Sequence, residues 1–159
     1  LNPVFHYGYD EFFKKCQETG VDGIIIPDCP YEESKEVSDI CYKYDVDLIS
    51  MIAPTSKERT LEIAAQAKGF IYLVSSMGVT GMRSNIVTDI EGIVESIKTV
   101  TDTPVAVGFG INSPAQVKHF GNIADGVIVG SAIVNLIKEH GDRAHQPLFN
   151  YIQTLIKEL

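Results

Sequence analysis

Five short runs of nearly continuous apolar residues recur along this 159-residue chain, at Gly23 to Pro27, Asp47 to Ile52, Gly69 to Val74, Pro104 to Gly108 and Gly126 to Gly130. A strand with one wet face alternates apolar and polar residues. Runs without that alternation predict strands covered on both faces, which suits parallel strands beneath a helical layer. Helix-forming segments with recognisable ends lie between them. The first runs from about Asp10 to Glu18 and is ended by Gly20; Thr88 and Glu91 have capping-box spacing; Ser113 followed by Pro114 is an N-cap with proline at the first helical position. Helix and strand therefore alternate throughout, which gives an α/β fold with right-handed crossovers, either an open doubly wound sheet or a closed barrel.

The glycines favour the barrel. Gly110 and Gly130 close the last two apolar runs. Glycine at the carboxyl end of a buried strand lets an anion approach main-chain N–H groups, because no Cβ stands in the way. Two such strand ends side by side make a phosphate cup, which in a (β/α)8 barrel sits after strands 7 and 8 beside the N-terminus of a short helix. No G-x-G-x-x-G stands early in the chain, where a dinucleotide fold would carry it, and Gly108-Phe109-Gly110 is only a G-x-G. Eight strands need about 250 residues. The chain begins at Leu1 rather than Met, and Leu1 to Phe5 reads as the exit of another strand into a loop. The expectation is therefore a phosphate-binding TIM barrel present as about five C-terminal β-α units, with roughly three units, or about 100 residues, in front of Leu1.

A length of 159 residues at 45% hydrophobic and 21% charged content fits one core, so residues 1–159 are read as a single domain. The net charge of −8 argues against nucleic-acid or anionic-membrane surfaces. A phosphorylated ligand would be held mainly by main-chain N–H groups and helix dipoles, since no Lys or Arg cluster flanks the glycines and Arg83 is the nearest cation. Cys16, Cys29 and Cys41 include no C-x-x-C and read as reduced thiols of a cytosolic protein. The four histidines show no metal-ligand spacing, so no metal is assigned. No apolar run approaches the ~20 residues of a membrane span, and no signal peptide is evident.

Three segments go beyond generic barrel character: Gly20 to Glu33, with Pro27-Asp28-Cys29-Pro30-Tyr31; Tyr72 to Gly81, with Ser75-Ser76-Met77-Gly78-Val79-Thr80-Gly81; and Gly108-Phe109-Gly110-Ile111 leading to Gly130-Ser131-Ala132-Ile133-Val134. In this order and at these separations they closely resemble the tryptophan synthase alpha subunit family, from Asn2-Pro3 to about His140. The resemblance implies a barrel lyase that cleaves indole-3-glycerol phosphate to indole and glyceraldehyde 3-phosphate. That retro-aldol step needs an acid to protonate the indole at C3 and a base to take the glycerol hydroxyl proton. The family's glutamate and aspartate for these roles lie upstream of Leu1, so no catalytic residue is assigned here and the chain alone is expected to be inactive.

By the same resemblance, Gly81, Phe109, Gly110, Gly130 and Ser131 bind the phosphate, the alternative for Gly130-Ser131 being a plain helix cap. Tyr72 faces the indole or serves as a packing aromatic. Thr80 belongs to a mobile loop from Gly78 to about Ile86 that would close on the missing aspartate. Asn2, Asp28 and Pro30 mark a rim that contacts a beta subunit carrying pyridoxal phosphate, in an alpha-beta-beta-alpha tetramer; the alpha subunit itself needs no cofactor and is cytoplasmic. Glu32 and Glu33 are read as complementing a helix dipole rather than as catalytic acids. Two other readings stay open: another phosphosugar barrel enzyme, such as an isomerase or cyclase of histidine biosynthesis, and a non-catalytic half-barrel that binds a partner subunit.

Overall fold

A computed structural model describes residues 1–75 and 89–159. Its elements are α1 (Asn2–Tyr7), α2 (Tyr9–Glu18), β1 (Gly23–Ile24), α3 (Ser34–Lys43), β2 (Asp47–Leu48), β3 (Ser50–Ile52), α4 (Lys57–Gln66), β4 (Ile71–Val74), α5 (Ile90–Lys98), β5 (Val105–Gly108), α6 (Pro114–Gly121), β6 (Gly126–Val127), α7 (Ser131–His140) and α8 (His145–Ile156), with 3₁₀ turns at Tyr31–Glu33 and Gly141–Arg143. β2 and β3 are two halves of one strand: β1 pairs with β2, and β3 opens the ladder β3-β4-β5-β6. At the hand-over, Ile49 still donates to Ile24 O at 2.9 Å.

Every pairing is parallel, and each strand neighbours the next in sequence. An open doubly wound sheet reverses its order at a switch point, whereas a barrel wall does not. The observed order is that of a barrel wall, and it decides between the two architectures that periodicity left open.

Helices cover one face of this wall. Ile52, Ile71, Leu73, Val105 and Val107 are buried with Ile63 and Ala64 of α4, Ile90, Val94 and Ile97 of α5, Val117 of α6 and Leu155 of α8. Burying each of the larger side chains contributes on the order of 2 kcal/mol. A second cluster gathers Val4, Phe13, Cys16, Ile26, Val37, Cys41 and Val46 beneath α1, α2 and α3. Burial pushes the Cys41 thiol up to about 12, so it behaves as a small apolar side chain. The opposite face carries Met51, Tyr72, Val74 and Ala106, all half-buried. Within this part of a barrel the helical side is fully buried and the opposite side half-buried, so burial alternates along β4.

Other local expectations meet mixed outcomes. Ser113 forms the full capping box with Gln116. The cap of α5 is Asp89, whose carboxylate accepts from Gly92 N at 2.9 Å; Thr88 lies outside the described residues. The loop expected from Leu1 to Phe5 is instead a helix, Asn2–Tyr7, with Pro3 in its first turn, where a missing N–H costs nothing. The strands are also shorter than the apolar runs, since only part of each run lies against a neighbour in register.

Asp125 ties α5 to the start of β5 and β6. Its carboxylate pairs with Lys98 at 2.7 Å and accepts from Val105 N at 2.7 Å. The Lys98 ammonium first, and then the Val105 N–H, hold it below its ordinary value of 3.8. A carboxyl lowered in the fold stabilises it at any pH above the unfolded value, and that contribution fades as pH falls through the folded value. Asp125→Asn keeps an acceptor for Val105 but loses the charge. The pair is partly solvated, so the expected cost at pH 7 is only about 0.5 kcal/mol, shrinking toward zero near pH 2 in paired thermal melts.

Candidate functional site

Parallel pairing places all strand carboxyl ends on one rim. The last two ends are adjacent there: Val107 pairs with Val127, and Ile128 N donates to Val107 O at 2.8 Å. Just past them lie Phe109-Gly110 and Gly130-Ser131, so four predicted phosphate residues from two distant stretches meet at one place. Among the described residues, the main-chain N–H groups of Phe109, Gly110, Gly130 and Ser131 donate no hydrogen bond. Unpartnered N–H groups at a helix start, such as those of Gly130 and Ser131 at the head of α7, are of the kind that can receive an anion.

The two glycines serve this site for different reasons. Gly110 has φ 76, a conformation that penalises any Cβ. Gly130 has φ −118, and a Cβ there would meet nothing within 4 Å. Neither packing among the described residues nor a positive φ requires glycine at 130. Gly130 is also the N-cap of α7 and supplies no side-chain cap, with Ser131 the first helical residue. The plain helix cap considered from sequence is thus present at Gly130, made without a side-chain hydrogen bond.

Phe109 is the unusual member. It has φ 81, rare for an aromatic residue, and its ring is 54% exposed. Its contribution to the rim is therefore main chain. The turn is held from both sides: Ser75 donates through its N–H to Gly108 O (2.8 Å) and through its hydroxyl to Phe109 O (2.5 Å). Downstream, Gln116 Oε1 accepts from Asn112 N at 3.0 Å and Tyr151 Oη donates to Asn112 O at 3.0 Å. Sequence reasoning missed these braces. Tyr151 stands 39 residues from Asn112, and nothing local signals the contact.

Tyr72 stands in register with Met51, Ala106 and, through Ala106, Gly126. Its side chain leans along the strand toward the rim, for a Cβ on Gly108 would crowd its hydroxyl. The tyrosine is thus on the half-buried face of the sheet and packs on Gly108. Thr80 and Gly81, with the loop from Gly78 to about Ile86, lie outside the described residues.

Asp28 contacts the Leu1 amino group, next to Asn2 in the chain. Glu32 binds Arg59 through two nitrogens, the second at 3.1 Å, and the guanidinium holds its carboxyl below the ordinary range. A carboxyl so held is a poor proton donor at neutral pH, in line with the non-catalytic reading. A cleft of 330 Å³ opens between α3 and α4, over Leu48 and Ser50, and none of Tyr72, Phe109, Gly110, Gly130 and Ser131 lines it. Among the described residues no three His, Cys, Asp or Glu side chains cluster to hold a metal ion, and no helix is long and apolar enough to cross a membrane.

The chain is similar to known proteins over most of its length. The family model described as tryptophan synthase alpha chain matches residues 1–158. The tryptophan synthase alpha chain of Lacticaseibacillus casei is 49% identical over 144 residues, covering 91% of this chain and 54% of that protein. Among solved structures, tryptophan synthase subunit alpha from Campylobacter jejuni superposes with a TM-score of 0.75 at 39% identity, over 87% of this chain and 56% of that one. A chain from the tryptophan synthase α2β2 complex of Pyrococcus furiosus gives a TM-score of 0.85 at 33% identity, over 99% of this chain and 64% of that one. The chain spans about half the length of the curated relatives it matches.

Proposed function

The chain belongs to the tryptophan synthase alpha chain family and forms part of a TIM barrel, and on that premise we propose that its intact form cleaves indole-3-glycerol phosphate to indole and glyceraldehyde 3-phosphate. The observation that carries this reading is the pair of adjacent strand ends whose four N–H groups are unpartnered among the described residues. Phe109, Gly110, Gly130 and Ser131 hold the phosphate, joined by Gly81; Tyr72 lies along the indole; Thr80 acts on loop closure. The carbon–carbon bond breaks when the indole C3 takes a proton and the glycerol hydroxyl gives one up. The carboxyl pair that moves these protons lies outside this chain.

On this reading the 159 residues alone bind without catalysing, because phosphate contacts do not distinguish transition state from substrate. They form one domain, supported by the continuous β2–β3 strand that both core clusters share. The alpha chain is cytoplasmic and needs no cofactor. Its partner is a pyridoxal phosphate-bearing beta subunit in an alpha-beta-beta-alpha tetramer, met through Asn2, Asp28 and Pro30. The test is indole release by the product of the complete reading frame, with and without a beta subunit. Release that rises on adding the beta subunit supports both reaction and partnership; none from a folded product leaves the barrel standing and removes the reaction.

A further inference from the structure

We propose that Ser75 is a positioning residue that holds the Phe109–Gly110 turn ready for phosphate, an inference that rests on the phosphate reading above. Phe109 and Gly110 take φ 81 and 76 in succession. Glycine adopts such angles freely, but an L-aromatic residue adopts them only where its surroundings over-determine the conformation. Ser75 supplies that constraint from the adjacent strand end: its N–H takes Gly108 O at 2.8 Å, and its hydroxyl takes Phe109 O at 2.5 Å. With both carbonyls anchored, the following N–H groups keep their direction at the rim.

A peptide unit cannot turn its N–H without turning the carbonyl on its other side. The Phe109 carbonyl shares a peptide plane with the Gly110 N–H, so the Ser75 hydroxyl fixes the direction of a phosphate donor while remaining off the ligand itself. The downstream bonds from Gln116 and Tyr151 act on Asn112, two residues past Gly110, and leave this peptide unheld.

The experiment is calorimetric titration of the complete reading-frame product with glycerol 3-phosphate, for the parent, Ser75→Ala, Ser75→Thr, Phe109→Gly and Ser75→Ala with Phe109→Gly. Removing the hydroxyl in the parent is expected to weaken binding about tenfold. Threonine, which keeps the donor, should stay within about threefold. In the Phe109→Gly background the serine has no strained residue to restrain, and its loss should cost less than about twofold. That non-additivity is what a general structural role would not produce. Equal losses in both backgrounds, or binding by Ser75→Ala as tight as the parent's, overturn the inference and leave the phosphate reading intact. A folded parent that binds no glycerol 3-phosphate overturns the phosphate reading and this inference with it.

Discussion

Prepared as the 159-residue chain, the protein is expected to release no indole from indole-3-glycerol phosphate above the uncatalysed rate. The complete reading-frame product, assayed beside it, is expected to exceed that rate by at least about 10⁶-fold, the lower end of enzymatic acceleration. The argument is chemical. General acid catalysis near neutral pH needs a carboxyl whose pKa is raised by burial or by a like charge. The carboxyls whose ionisation is displaced here, Asp10, Glu18, Asp28, Glu32 and Asp125, are all displaced downward, each chiefly by a hydrogen-bonded cation. Such groups stay ionised and cannot deliver a proton to the indole ring. Indole formed by the 159-residue chain at the rate of the complete product would show that the acid and base lie within it.

Gly108→Val is expected to have the largest effect of any single substitution at the site. A Cβ at this position would crowd the Tyr72 hydroxyl and stand 2.6 and 2.8 Å from two atoms of its ring, all well inside contact distance. The ring must leave its place, and the half-buried face of the sheet loses the shape that Tyr72 gives it. Overpacking of this kind costs about 1–3 kcal/mol of stability, and displacement of the ring into the ligand's space is expected to weaken glycerol 3-phosphate or substrate-analogue binding by about a hundredfold or more. Calorimetry on the complete product, with a melt to confirm folding, reads both. Gly130→Ala supplies the contrast: its Cβ meets no atom of the described residues within 4 Å, so it should leave the melting temperature nearly unchanged and weaken phosphate binding selectively. Unchanged binding in Gly108→Val would mean that Tyr72 can move aside without touching the ligand site.

How far the site was legible beforehand depended on how local its signals are. Gly110 and Gly130 announce themselves because each ends an apolar run, and Ser113-Pro114 because capping is a contest among neighbouring residues. The cap at Asp89 is a local contest too, and there an acceptor three residues before Gly92 N defines the helix start. The helix at Asn2–Tyr7 was read as a loop because a proline in a first turn looks, without its surroundings, like irregular chain. Ser75 carried no signal: a serine after a strand is common, and its partner is 34 residues away.

The sequence by itself determined the alternation of elements, the parallel character of the strands, and which glycines could admit an anion, since these follow from side-chain size, period and backbone freedom over a few residues. Only the tertiary structure decided the rest. Strand order without reversal selected the barrel wall over the doubly wound sheet. The same order juxtaposed Phe109-Gly110 with Gly130-Ser131, turned Tyr72 onto Gly108, and set Ser75 against the strained turn. These are contacts between residues far apart in the chain. Their geometry comes from how strands register and helices pack, and short-range preference contains no information about it.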